Sequence, residues 1–240
     1  MTKNHVLRKL ACLIMTIACW LGLTSTALAR VHHYGSADIE GLLWTAFMIG
    51  AFIVFGIIFI IIRGGVINRH SKKISAEMQR MAQSNPIWNV DTLADRVREI
   101  YKNIDQARQT DDLSIIQGDV NQDIFVEIEK EVQEDIRFQR QYKSKDLNLD
   151  EVKPVGCSVS PTGRNIAWFL VDGNKTELKI SRVTGKPIRN DDSDETGEDM
   201  VFFEEIWKLV YEEGRWVLHG IDNDVDTNDL KKLKEKTFKE

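Results

Sequence analysis

Between Leu42 and Ile62 the chain runs for 21 residues without a charge, rich in Ile and Phe. At 1.5 Å per residue a helix over that stretch is about 31 Å long, which matches the hydrocarbon thickness of a bilayer. Apolar residues fall on all of its faces, so packing against one neighbouring element would leave much of it in water. The stretch is therefore read as a transmembrane helix, and the rest of the chain is organised around it. Gly50 and Gly56 are not at GxxxG spacing and give no support to dimerisation through that motif.

Ahead of the span, Lys3, Arg8 and Lys9 precede an apolar run from Leu10 to Leu23, followed by Ala27-x-Ala29. These are the three parts of a secretory signal, cleaved after Ala29. Two alternatives stand beside it, an uncleaved signal anchor and lipoprotein processing at Cys19, although Thr16 occupies the place of the expected Leu-like residue. The flanks set the orientation. Asp38 and Glu40 lie before the span, whereas Arg63, Arg69, Lys72, Lys73 and Arg80 follow it against Glu77, a local charge of +4. The downstream part is expected on the cytoplasmic side. Its basic stretch would lie among anionic headgroups, at about 1 kcal/mol for each side chain near the surface.

The predicted organisation is a signal peptide over 1–29, an extracytoplasmic segment over 30–41, the transmembrane helix over 42–62, a basic stalk over 63–86, one domain over 87–222 and a charged tail over 223–240. Residues 84–240 carry 23 basic and 34 acidic side chains, so the domain repels a phosphate backbone and nucleic acid is not an expected partner. Cys12 and Cys19 fall in the first apolar run, which leaves Cys157 without a partner for an intradomain disulfide.

Ile74, Met78 and Met81 recur at helical spacing over Ser71–Gln83. The stalk either continues the transmembrane helix or breaks at Gly64-Gly65 and lies on the headgroups. Ser84-Asn85-Pro86 ends it, because proline excludes helical geometry from its predecessor. Asp91 is a candidate cap for a helix to about Arg108, with Leu93, Val97, Ile100, Ile104 and Ala107 on one face. A short helix or turn follows at Leu113–Gln117, and a second amphipathic helix covers Asn121–Gln139 through Ile124, Phe125, Ile128, Val132 and Ile136. The period then shortens to two. Strands are predicted at Val152–Ser160, Arg164–Val171, Thr176–Val183, Met200–Tyr211 and Arg215–Ile221, with turns at Pro161-Thr162-Gly163, Asp172-Gly173-Asn174 and Glu213-Gly214. Lys186–Asp199 reads as a long acidic loop and Thr227–Glu240 as a short solvated Lys-rich helix. Helices first and a meandering sheet second is an α+β pattern, with helices packed on a curled antiparallel sheet.

Two stretches carry a family resemblance. Trp88-Asn89-Val90-Asp91-x-Leu93, then Val97, Ile100, Tyr101, Ile104, Ala107 and Asp111-Asp112, open it, and Glu205-x-Trp207-x-Leu209 with Gly214-Arg215-Trp216-Val217-Leu218-x-Gly220-Ile221 closes it. Over Ile87–Asp222 the chain resembles the Tim-forty-four-like domain family, of the bacterial membrane-anchored type, within the wider nuclear-transport-factor-like cone folds. The resemblance implies a curled sheet and helices enclosing an apolar pocket, on a domain held at the bacterial plasma membrane. The chain lacks the long charged N-terminal region of the mitochondrial subunit that names the family, so a chaperone-tethering role is not carried over.

Trp168, Phe203, Trp207 and Trp216 are the candidate pocket residues, with Phe169 and Phe202 also in reach of a core; alternation sends Trp168 and Phe169 to opposite faces. Ordinary core packing is the competing reading of all of them. Asp222-x-Asp224-x-Asp226 copies the start of a calcium loop, but Thr227 replaces the turn glycine and Leu233 the closing glutamate, so an acidic turn is favoured. His32-His33 lacks a carboxylate or cysteine pattern for a metal. His219 is the one histidine beyond the juxtamembrane stretch, and no nucleophile elbow, Walker loop, CxxC or HExxH accompanies it. The expected function is a non-enzymatic adaptor or tether without cofactor or metal. Its partners are membrane lipids, through the helix and basic stalk, and a protein or lipid bound by the domain. An extracytoplasmic cone-fold subunit of a membrane or secretion complex and a small-molecule enzyme using His219 are the alternatives.

Overall fold

The computed structural model describes residues 37–160, 163–188 and 197–223. The expected signal peptide, His32-His33, most of the acidic loop and the C-terminal tail lie outside the described residues. The chain divides into two units, residues 1–66 and 67–240.

Helix α1, Ala37–Ala82, crosses that division. It is long and apolar enough to cross a membrane, and Phe47, Phe52 and Phe55 are exposed along it. A helix with large apolar side chains turned outward calls for an apolar solvent, which supports membrane association. Of the two readings left open for the stalk, the continuous helix is the one observed, since α1 passes through Gly64-Gly65 unbroken. The stalk is also no separate spacer. In the second unit, Ile67, Ile74 and Met78 are buried in the domain's hydrophobic clusters, while Arg69, Lys72, Lys73 and Arg80 are exposed. The helical spacing seen in the sequence is thus a core-facing stripe.

After the 3-10 turn Pro86–Trp88, helix α2 spans Val90–Thr110. Its cap is Asn89 rather than Asp91: the Asn89 side chain accepts from Thr92 N–H at 2.9 Å, and Asp91 sits in the first turn, where a carboxylate complements the helix dipole. A second 3-10 turn, Leu113–Ile116, leads to helix α3, Gln122–Arg137, capped by Asn121. Four strands follow, β1 (Arg140–Val159), β2 (Asn165–Ser181), β3 (Glu198–Glu212) and β4 (Arg215–Asp222), paired antiparallel in the order of the chain. The fold is α+β.

Two strand assignments are corrected. β1 begins at Arg140, twelve residues before Val152, because its first half is Lys- and Asp-rich and broken by bulges near Asp146 and Leu149 that hide the alternation. The predicted strands Arg164–Val171 and Thr176–Val183 are one strand, β2, running straight through Asp172-Gly173-Asn174. Gly173 serves close approach there. A Cβ would run into the Asn148 carbonyl and meet the Phe203 ring at 2.8 Å. The Glu213-Gly214 turn forms as expected, with both residues at positive φ, the geometry of a tight hairpin.

Phe169, Val171, Trp207 and Leu209 bury one sheet face against Val97, Ile100 and Ile104 of α2 and Ile124, Ile128 and Val132 of α3. Each sheet edge is engaged at one point. His70 donates from Nε2 to the carbonyl of Val155, the extra residue of a β1 bulge, at 2.7 Å. On the β4 side, Asn121 N–H donates to Leu218 O and Leu218 N–H to Asp119 O. Arg96 and Asn103 hold the Asp119 carboxylate at 2.6 and 2.7 Å, locking that connection.

Candidate functional site: an acidic groove over an aromatic floor

The inward alternation of β2 and β3 carries beyond the apolar core. Past Phe169 and Val171 come Lys175 and Glu177, and before Trp207 come Glu205, Phe203 and Val201; together with α2 and α3 they line a cavity of about 270 Å³. A second cleft of about 370 Å³, toward β1, shares Arg108, Glu131 and Glu177 with it.

The floor of the cavity is aromatic. Tyr101 stacks on Phe203 at 5.0 Å between centroids and on Trp207 at 5.5 Å, with interplanar angles of 15° and 17°. Trp207 is buried, and its indole N–H donates to Glu205 at 2.7 Å. At the inner end lies a buried polar cluster. Lys175 sits 2.8 Å from Glu177 and 3.8 Å from Asp105, and it donates to the Tyr142 hydroxyl at 3.0 Å. Tyr142 has one proton for two carboxylates, Asp105 and Glu177, each at 3.1 Å. Gln109 and Ser144 complete the shell of Asp105. Burial, then the nearby carboxylates, push both the Tyr101 and the Tyr142 phenol well above the ordinary tyrosine range. Neither is a base at neutral pH.

The rim is acidic. Asp105, Glu127, Glu131, Glu177 and Glu205 line the cavity against Arg108 and Lys175, an excess of three negative charges. Glu131 is paired with Arg108 at 2.7 Å, and Glu177 with Lys175. Among the described residues Glu127 and Glu205 have no basic partner, so the groove can hold a cation.

Of the four pocket residues chosen from the sequence, Phe203 and Trp207 line this cavity. Trp168 points to the other sheet face, packed with Ile67, Val155, Leu170 and Ile206. Trp216 belongs to the core, edge-on to Trp88 and Tyr211, with its N–H on Ile87 O at 3.1 Å. Tyr101, Asp105, Glu127, Tyr142, Lys175, Glu177 and Glu205 were not picked as site residues. The signals were present: Asp105 interrupts the apolar stripe of α2, and Lys175 falls on the inward register of β2, between the two strands predicted on either side of Asp172-Gly173-Asn174.

His219 lies 3.0 Å from Glu212 and does not line the cavity. Burial, and behind it Glu77, push the Cys157 thiol up to about 12. Among the described residues no group of three or more His, Cys, Asp or Glu side chains is placed to hold a metal ion. Asp222 ends β4, while Asp224 and Asp226 of the acidic turn lie outside the described residues.

No family model and no curated protein matches the chain. Among solved structures, it is similar to the intermembrane space region of the chloroplast protein ARC6, at a TM-score of 0.41 and 11% identity over 56% of this chain and 97% of that one.

Proposed function

We propose that this chain is a membrane-anchored, non-enzymatic adaptor of the Tim-forty-four-like type, whose domain faces the cytoplasm and binds a protein partner in the groove between its two free helices and the sheet. The observation that carries the reading is the groove itself. Its aromatic floor, with Phe203 half-buried, offers apolar area for an anchor, and its carboxylate rim selects for positive charge. The same rim repels anionic lipid headgroups, which favours protein over lipid as the ligand. The basic side chains that follow the apolar run of α1 support a cytoplasmic orientation.

A photo-crosslinking amino acid placed at Glu127, on the groove rim, tests the reading in intact cells. The expected result is a discrete adduct with another protein, absent when the same group is placed at Val183, which is 76% exposed and outside the groove. Equal labelling from both positions, or no protein adduct from Glu127, would contradict it.

A further inference from the structure

The groove has a complementary segment in the same chain. β4 delivers Ile221 and Asn223 to the cavity wall, and Asn223 is the last described residue before the C-terminal stretch. Residues 230–240 then carry Lys231, Lys232, Lys234, Lys236 and Lys239 against Glu235 and Glu240, a net charge of +3 that balances the excess of three negative charges in the cavity. Leu230, Leu233 and Phe238 supply apolar anchors for the floor. The six residues 224–229 that intervene include three aspartates. A fully extended stretch of six residues spans about 20 Å, so the connection does not by its length bar the basic block from the cavity that Asn223 lines.

We propose that the Lys-rich segment 230–240 occupies the acidic groove of its own domain, its lysines toward Glu127 and Glu205 and an apolar side chain over Phe203. The contact itself stands on the groove and the segment; its consequence, that a partner must displace the segment to bind, rests on the adaptor reading. Because each ion pair lies at the rim, the contact is weak and salt-dependent, as a displaceable occupant requires.

The test uses the full chain, purified in detergent micelles at low concentration, with Phe238 replaced by p-benzoylphenylalanine. Illumination is expected to give adducts within one chain, mapped by mass spectrometry to 101–131 or 201–207. The yield should fall at least fivefold at 0.5 M salt and in Glu127→Gln/Glu205→Gln. The quadruple variant Lys231→Glu, Lys232→Glu, Lys234→Glu and Lys236→Glu should lose the adduct equally, which answers any objection that the groove variant is misfolded. Adducts elsewhere on the domain, adducts to detergent or added lipid, adducts only between two chains, or a yield indifferent to these charges would each overturn the proposal. No partner is present in this experiment, so its failure leaves the adaptor reading standing, and loss of the cellular adduct from Glu127 leaves this one standing.

Discussion

Replacing Lys175 by methionine keeps the length of the side chain and deletes its charge at the inner end of the groove. Lys175 and Asp105 are each 7% exposed in their side chains, whereas Glu177 is 33% exposed. Without the ammonium group, Glu177 rehydrates at modest cost, but Asp105 remains buried with only neutral donors from Tyr142, Ser144 and Gln109. Breaking a buried pair costs roughly 3–5 kcal/mol, and the three surviving donors place this case near 3 kcal/mol. For a domain of this size that lowers the thermal midpoint by about 6–12 °C. The assay is thermal unfolding of the full chain in micelles, followed by tryptophan fluorescence. Adding Asp105→Asn removes the stranded charge, so the double variant should recover at least about 1 kcal/mol relative to the sum of the single changes. A midpoint within 2 °C of the parent for Lys175→Met, or strict additivity of the two changes, would refute the idea that the Lys175 ammonium compensates the buried charge of Asp105.

Three further outcomes follow from the same geometry. Gly173→Ala drives a methyl group into the Asn148 carbonyl and the Phe203 ring, and should cost about 1–3 kcal/mol in the same melt; an unchanged midpoint would show that the approach of β1 to β2 is looser than described. Cys157 is buried and its thiol pushed up to about 12, so maleimide at pH 8 should label it only after denaturation, as read by peptide mass spectrometry. The raised phenols of Tyr101 and Tyr142 mean that the native state holds two protons which the unfolded chain releases near pH 10, so their contribution is intact below about pH 10 and declines as the pH rises. Tyrosinate absorbance should show both resisting ionisation until the domain unfolds, and smooth titration of all four tyrosines below the unfolding transition would contradict this.

Elements whose burial is one-sided were legible in the sequence. The apolar stripe of α2 from Leu93 to Ala107 and that of α3 from Ile124 to Val132 mark core-facing residues at helical period, and the opposite facing of Trp168 and Phe169 follows from alternation alone. The misreadings occur where one residue type serves two physical ends. Asp-Gly-Asn is strong turn chemistry, yet Gly173 is there because the neighbouring strand and the Phe203 ring leave no room for a side chain. Ile74 and Met78 fit a surface helix as well as a buried one, and only the hydrophobic cluster they join decides between them. The groove was hardest to see, because Asp105, Tyr142, Lys175 and Glu177 come from three elements whose register depends on a β2 that continues past Gly173. Aromatic area alone does not separate Phe203 and Trp207, which line the cavity, from Trp168 and Trp216, which do not.

The account rests most heavily on the domain lying on the cytoplasmic side, where Arg63, Arg69, Lys72, Lys73 and Arg80 would remain after α1 inserts. Fusing alkaline phosphatase or a green fluorescent protein after Glu240 measures this directly, since the enzyme folds only outside the cytoplasm and the fluorophore matures inside it. The account predicts bright cells and an inactive phosphatase. An active phosphatase with dark cells would put the groove on the other side of the membrane and remove the cytoplasmic adaptor.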